Sequence, residues 1–422
     1  MHLSDEEKRM YEGEYGRGVQ KAINMLIEYG DVWDAERMVS VDRAHVGLWS
    51  EYDWIASMLE DVQEIKVPLA TIHPGYAAAS RYGTAMGLNT EICEKERKDQ
   101  NNKVDLLVSK GCVPTLTCTP FVLGNVPTQG SRFSWPGSMG IIFANSLFGA
   151  MGNRDAFTAA LSSAITGVTP EMLLMKKEHR YGQLLFKVEE LDMASFTQAD
   201  YGVIGFYVGG IAKVKNVVLD GIPSNLPMEK IKHLFAPMAV SGAVAVCHIV
   251  GTTPEAPTAE EALGHKKPEE TIRIGKKEFK ETLEKLHTAK KDNVELVLIG
   301  CPHTSITEIA EIARLLENKK IADGVRLFIA TAEAIHAFAK RMGYIDMIEQ
   351  AGGLVITDTC PMLYPYGSLS TDPASTVSAE TVKLVATNSG KLGAYQAKVG
   401  VSIQYGDTKS CINSAIAGKW GG

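Results

Sequence analysis

The stretch Asn293-Val-Glu-Leu-Val-Leu-Ile-Gly-Cys-Pro-His-Thr-Ser-Ile-Thr-Glu308 decides the fold. Val294 to Ile299 is an almost unbroken apolar run, the pattern of a strand buried on both faces of a parallel sheet. Gly300 ends the run. Ser305-x-x-Glu308 is a capping box opening a helix whose inner positions are Ile306, Ile309, Ala313 and Leu316. Cys301 and His303 therefore belong to the loop between a strand's carboxyl end and a helix's amino end. Open α/β sheets bind ligands there, because backbone N–H groups and the helix dipole point into the crevice.

The next two units repeat the arrangement. Val325 to Ala330 reads as a second strand, and Thr331 to Met342 as a helix with Ala334, Ile335, Phe338 and Ala339 inward. Leu354 to Thr357 is a third strand, followed at once by Asp358-Thr-Cys-Pro361. Right-handed crossovers align these strands and bring the loops of Cys301 and Cys360 to one edge.

Upstream, Ser4-x-x-Glu7 is a second capping box, and a helix from about Gly16 to Tyr29 buries Val19, Ala22, Ile23, Leu26 and Ile27. Val39 to Val46 reads as one short strand containing His45, and Cys93 reads as an exposed thiol among charges. Cys112 to Cys118 is β-like and ends at a proline turn, so Cys118 shares the strand-end setting of Cys301 and Cys360. The loop from Leu123 to Pro136 is rich in Gly, Pro, Ser and Asn, as expected of a loop lining a site. Tyr201 to Gly210 suggests strands broken by glycine, and Ala236 to His248 a packed helix leading into a strand. Charge-dense residues 254–293 connect the first part of the chain to the αβ units. The expected organisation is an α/β body over residues 1–290 in two lobes, a βαβαβ lobe over 291–391, and a glycine-rich tail, 392–422, that packs back.

A chain of 422 residues suffices for two or three cores. A net charge of −7 without a basic block argues against nucleic acid as a partner. The N-terminus lacks a signal-type apolar region, and no apolar run approaches the roughly 18 residues of a membrane span, so a soluble cytoplasmic protein is expected. Seven widely spaced cysteines do not make a disulfide framework. Cys118, Cys301 and Cys360 are too few for a closed structural zinc site. Three thiolates at strand ends suit a metal, a cluster or thiol chemistry, whereas buried cysteine also serves simply as a small apolar residue.

The chain resembles the large, catalytic subunit of the aconitase X family. The likeness is carried by Glu12-Gly-Glu-Tyr-Gly16, Thr117-Cys-Thr-Pro120, Phe143-Ala-Asn-Ser146, Asn153-Arg154, Ala164-Ile-Thr-Gly167, Gly300-Cys-Pro-His303, Asp358-x-Cys360 and Ala386-Thr-Asn-Ser-Gly-Lys391. It implies an aconitase-like body of two to three α/β lobes, with parallel sheets around a central cleft. It also implies a hydro-lyase acting on a small hydroxy acid, such as phosphomevalonate, cis-3-hydroxy-L-proline or a related compound. Cys118, Cys301 and Cys360 would hold an iron–sulfur cluster, 3Fe–4S or 4Fe–4S. A separate small swivelling subunit would complete the site. Ser389, Lys391 and His303 are the catalytic candidates. Arg154 or Lys391 would hold the substrate carboxylate, with Asn145, Ser146, Asn388 and Ser389 as hydrogen-bond donors, and His303 and His248 are placed near the cluster. Trp135-Pro-Gly-Ser138 lacks the family's usual acid, Gly149-Ala-Met-Gly-Asn-Arg154 lacks its first arginine, and Tyr207 and Gly210 replace a usual histidine and lysine. The other readings are a cluster-bearing binding or regulatory homologue without turnover, and a thiol or zinc enzyme.

Overall fold

A computed structural model describes residues 1–363 and 382–421; the part of the expected third lobe at 364–381 lies outside the described residues. Three bodies follow one another, each built on its own parallel sheet. The first holds Leu69–Ile72, Arg43–Val46 and Phe133–Ser134, in that spatial order. The second holds Cys247–Ile249, Val217–Asp220, Leu184–Val188 and Glu270–Ile274. The third holds Leu354–Ile356, Arg326–Thr331, Leu296–Thr304, Leu384–Thr387 and Ser402–Tyr405, all parallel. Among the described residues no helix is long and apolar enough to cross a membrane.

The decisive stretch forms the expected strand and helix, but the strand does not end at Gly300. It runs to Thr304 past a register slip, so Cys301 and His303 lie within its last residues rather than in a loop. Every residue of Leu296–Thr304 is buried, and Ser305 with Glu308 forms the reciprocal capping box of the helix Ile306–Leu316. Residues 392–422 are more than a tail that packs back. Ser402–Tyr405 is the fifth strand of the third sheet, and the helix Thr408–Ala417 buries Cys411, Ile412 and Ala415 beside it.

Four local expectations are corrected. Tyr201 to Gly210 lies in a helix, Gln198–Ala212, opened by a capping box between Thr197 and Asp200. Its glycines are a packing stripe. A Cβ at Gly205 would stand 1.9 Å from the Leu234 carbonyl oxygen, and one at Gly209 would stand 2.3 Å from that of Met238. The helix Met228–Ser241 thus approaches at backbone distance, which only glycine permits. Val39 to Val46 divides into Met38–Ser40 and Arg43–Val46, which belong to different sheets. Cys112 to Cys118 makes a single bridge, Val113 to Thr71, before a 3-10 turn at Pro120–Leu123, because Pro114 has no N–H to extend a ladder. Cys93 is buried, since the helix Thr90–Val108 turns Cys93, Gln100 and Leu107 inward together.

Candidate active site

The third sheet reverses direction beside its central strand. From Leu296–Thr304 the chain steps to Arg326–Thr331 and Leu354–Ile356 on one side, then returns to Leu384–Thr387 on the other. Such a switch point opens a crevice at the strands' carboxyl ends. Cys301 and His303 stand on one flank of it, and Asn388, Ser389 and Lys391 on the other. Gly300 sets the first flank. Its φ is +108°, and a Cβ there would meet the Ala330 carbonyl oxygen at 2.3 Å, where the register with the neighbouring strand slips. Ser389 joins the flanks: its hydroxyl donates to the Cys301 carbonyl and accepts from Leu392 N–H at 3.0 Å, capping the helix Gly390–Lys398. Asn388 donates to Thr408 Oγ1 at 3.1 Å, while its own Oδ1 has no partner among the described residues.

His303 ties the other two cysteine loops to this crevice. Its Nε2 lies 2.8 Å from the Thr359 carbonyl, which only accepts, so Nε2 carries the hydrogen. Its Nδ1 then accepts from Thr117 Oγ1 at 3.0 Å. With its hydrogen given to the ring, Thr117 Oγ1 accepts from Thr119, from the backbone N–H at 3.2 Å and from the hydroxyl at 3.0 Å. The His303 backbone N–H donates to Cys118 Sγ at 3.4 Å, and its carbonyl accepts from Lys232 Nζ at 2.9 Å. Burial, aided by the nearby charges of Lys232 and Lys391, lowers the His303 pKa to about 4 against the Thr359 carbonyl. The ring is a neutral connector between Thr117, beside Cys118, and Thr359, beside Cys360. Cys360 N–H in turn donates to the Gly75 carbonyl of the first body at 3.0 Å.

The three thiols share one electrostatic neighbourhood. Burial raises the Cys301 thiol to about 12; Cys118 and Cys360 add to this, and Lys391 opposes it. Burial also works against a charged Lys391, yet the thiol sulfurs of Cys301, Cys118 and Cys360 hold its pKa above the ordinary lysine value. Among the described residues no three His, Cys, Asp or Glu side chains stand at the geometry of a single bound ion. A cluster makes a different demand, since each thiolate binds a different iron and the sulfurs need not meet at one point. Three soft donors around one ammonium fit an anionic cluster.

Models of the Aconitase X first, second and third domains match residues 1–178, 182–284 and 294–417. The chain belongs to the aconitase X family. A phosphomevalonate dehydratase large subunit of Methanothermobacter thermautotrophicus is 36% identical over 91% of this chain and 94% of its own length. A cis-3-hydroxy-L-proline dehydratase of Pseudomonas aeruginosa is 25% identical over 98% of this chain and 70% of its own. The holo-form crystal structure of aconitase X from Thermococcus kodakaraensis superposes with a TM-score of 0.82 at 29% identity, covering 98% of this chain and 100% of that one.

The remaining aconitase X motif residues are placed less uniformly. Asn145 gives both amide hydrogens to backbone, to Gly152 O at 2.8 Å and Ala245 O at 3.0 Å, and its Oδ1 accepts from Gly152 N–H and Arg180. Ser146 Oγ accepts from Cys247 N–H at 2.9 Å. These bonds join the first body to the second. Arg154 is exposed; Nη1 reaches the Ala239 carbonyl at 3.4 Å, and its backbone pairs with Trp135. His248, on a strand of the second sheet, bonds through Nε2 to the Arg180 carbonyl at 2.7 Å and lines a cavity with Arg180 and Glu255 rather than the one beside Cys118. Of the departures from the family pattern, Gly137 walls a cavity beside Cys118 and Lys391, whereas Met151 lines a different one with Arg180 and Glu255.

Sequence reasoning missed His45, His73 and Trp135, which wall the same cavity as Gly137. The first parallel sheet delivers them: His45 within Arg43–Val46, His73 one residue past Leu69–Ile72, and Trp135 one residue past Phe133–Ser134. Reading those three runs as parallel strands would have found them.

Asp155, next to Arg154, carries a pH-dependent stability term. Burial raises its carboxyl to about 7 despite hydrogen bonds from Ser134 at 2.6 Å and Tyr29 at 3.4 Å. The folded chain therefore holds this proton where the unfolded chain has lost it, and stability falls as pH rises from about 4 through about 7. At about 1.4 kcal/mol per pKa unit the loss amounts to a few kcal/mol. Asp155→Asn should flatten the fall in melting temperature between pH 5 and pH 8; equal slopes in both proteins would refute the assignment.

Proposed function

We propose that this chain is the cluster-bearing large subunit of a hydro-lyase that dehydrates a small hydroxy acid of the phosphomevalonate type. The observation that carries the reading is His303, whose ring joins the loop of Cys118 to that of Cys360 two residues after Cys301. The donor set of Cys118, Cys301 and Cys360 suits an iron–sulfur cluster. When bound, the cluster supplies a Lewis acid for the departing hydroxyl.

The chain's own residues supply position and charge. Lys391 stands beside the thiols and attracts the anionic substrate. Arg154, exposed and held to the Ala239 carbonyl, offers a second cation. Ser389, fixed between Cys301 and Leu392, holds the helix that presents Lys391. Asn145 spends both amide hydrogens bracing the two bodies, whereas Ser146, which accepts from Cys247 N–H, keeps its hydroxyl hydrogen. Asn388 retains an Oδ1 with no partner among the described residues at the same switch point. A small swivelling partner subunit covers the crevice and excludes water, as the large-subunit relatives suggest.

Iron and sulfide analysis of anaerobically purified protein tests this reading. Alanine at Cys118, Cys301 or Cys360 should remove the visible absorbance, whereas alanine at Cys93, Cys112, Cys247 or Cys411 should leave it. Dehydration by the chain assembled with its small partner should fall in air and recover with ferrous iron and thiol. A colourless, iron-free wild type, or full activity in air with chelator, would sink the proposal.

A further inference from the structure

The cavity beside Cys118 and Lys391 is walled by His45, His73, Trp135, Gly137 and Ser138, and among the described residues no carboxylate lines it. Two of its buried polar groups lack partners. Trp135 is 0% exposed, and its Nε1–H has no acceptor among the described residues. His45 is 2% exposed, and its Nε2 has no hydrogen-bond partner among the described residues, although the backbone of Thr117 and of Thr71 lies near the ring. Buried polar groups are nearly always paired, so two orphans at one cavity ask for a ligand.

The surrounding bonds fix the protons. Asn125 Nδ2 gives one hydrogen to the Ala44 carbonyl at 2.8 Å and the other to Thr71 Oγ1 at 2.7 Å. Among the described residues the only acceptor in reach of the Thr71 hydroxyl hydrogen is His45 Nδ1 at 2.8 Å, which assigns that hydrogen to the ring. His45 is left with its hydrogen on Nε2, a donor. His73 is the opposite tautomer. Its Nδ1 faces the Pro74 carbonyl at 3.0 Å and must donate, leaving a lone pair on Nε2. That Nε2 lies 3.7 Å from where a Cβ on Gly137 would stand. Burial keeps both rings neutral by pushing their pKa values down.

We propose that Trp135, His45, His73 and Lys391 form the seat for the substrate's polar head. The indole N–H, the His45 N–H and the Lys391 ammonium receive a carboxylate, and His73 Nε2 accepts from a hydroxyl. The cavity volume, about 20 Å³, is little more than one water needs. A space of that size suits a small planar carboxylate better than the bulkier tetrahedral phosphate. The seat rests on the hydro-lyase reading, whose substrate it describes.

The test is the ¹⁵N indole spectrum of the full chain, with the Trp135 resonance assigned by its loss in Trp135→Phe. Acetate and cis-3-hydroxy-L-proline should move that resonance, and inorganic phosphate should not. In the assembled enzyme Trp135→Phe should raise KM about tenfold with little change in kcat, the loss of one charge-assisted hydrogen bond. His45→Gln should act in the same direction. A resonance moved by phosphate and not by carboxylates would overturn the assignment. So would a wild-type KM in Trp135→Phe alongside normal dehydration. A shift with carboxylates but no dehydration of any hydroxy acid would uphold the seat and sink the hydro-lyase reading alone.

Discussion

Replacing His303 with alanine should lower iron retention by about 10- to 100-fold, the usual cost of removing a group that orients metal ligands. The ring's two nitrogens reach Thr117 at 3.0 Å and Thr359 at 2.8 Å, so alanine frees both outer cysteine loops at once. Cys301 itself stays fixed by its strand and by Ser389. Glutamine restores part of the function, since its amide extends far enough to donate to the Thr359 carbonyl. Asparagine is shorter and should not. A loss of packing alone would affect both replacements alike, so the difference between them isolates the hydrogen bond. The same variants, freed of iron, should react less with an arsenical that bridges neighbouring thiols. Wild-type iron content in His303→Ala would remove His303 from this role.

The site was legible where one local pattern carried both the fold and the chemistry. The apolar run Val294 to Ile299 and the Ser305–Glu308 box are near neighbours in sequence, and they put Cys301 and His303 at the strand's carboxyl end, although the strand continues through Gly300 to Thr304 instead of stopping at the glycine. Cys360 follows a third apolar run and was placed by the same rule. The fifth strand was not legible, because Ser402–Tyr405 is four residues long and sits in glycine-rich surroundings. Gly202, Gly205 and Gly209 read as strand breaks because a helix packing stripe means nothing until Leu234 and Met238 are beside it. The cavity's other wall was hidden for the same reason. His45, His73 and Trp135 become neighbours only when three short strands pair in parallel. Two parallel sheets thus present their carboxyl edges to one cavity, one bringing Lys391, the other two imidazoles and an indole.

Glu308→Gln should destabilise the chain by about 3–5 kcal/mol, the cost of stranding a buried charge. Lys232, His233 and Glu308 are all buried; Lys232 Nζ meets Glu308 Oε2 at 2.5 Å and His233 Nε2 meets Oε1 at 3.2 Å. Burial works to raise the Glu308 pKa, yet Lys232 and His233 together bring it down to about 2. The folded value lies below the unfolded one, so this stabilisation is fully present above about pH 4.5 and is lost as pH falls toward 2. At neutral pH the mutational effect should therefore show no pH dependence of its own. Lys232→Met with Glu308→Leu removes both charges and should recover most of the stability. It should not recover the site. Lys232 Nζ also donates to the His303 carbonyl at 2.9 Å, so the double variant leaves that carbonyl without its donor and the cysteine loops less firmly held. Urea unfolding and iron content should then separate, with the first near wild type and the second reduced. An unfolding free energy for Glu308→Gln within about 1 kcal/mol of wild type, the size of an ordinary surface substitution, would show that the ion cluster does not hold the second body to the third.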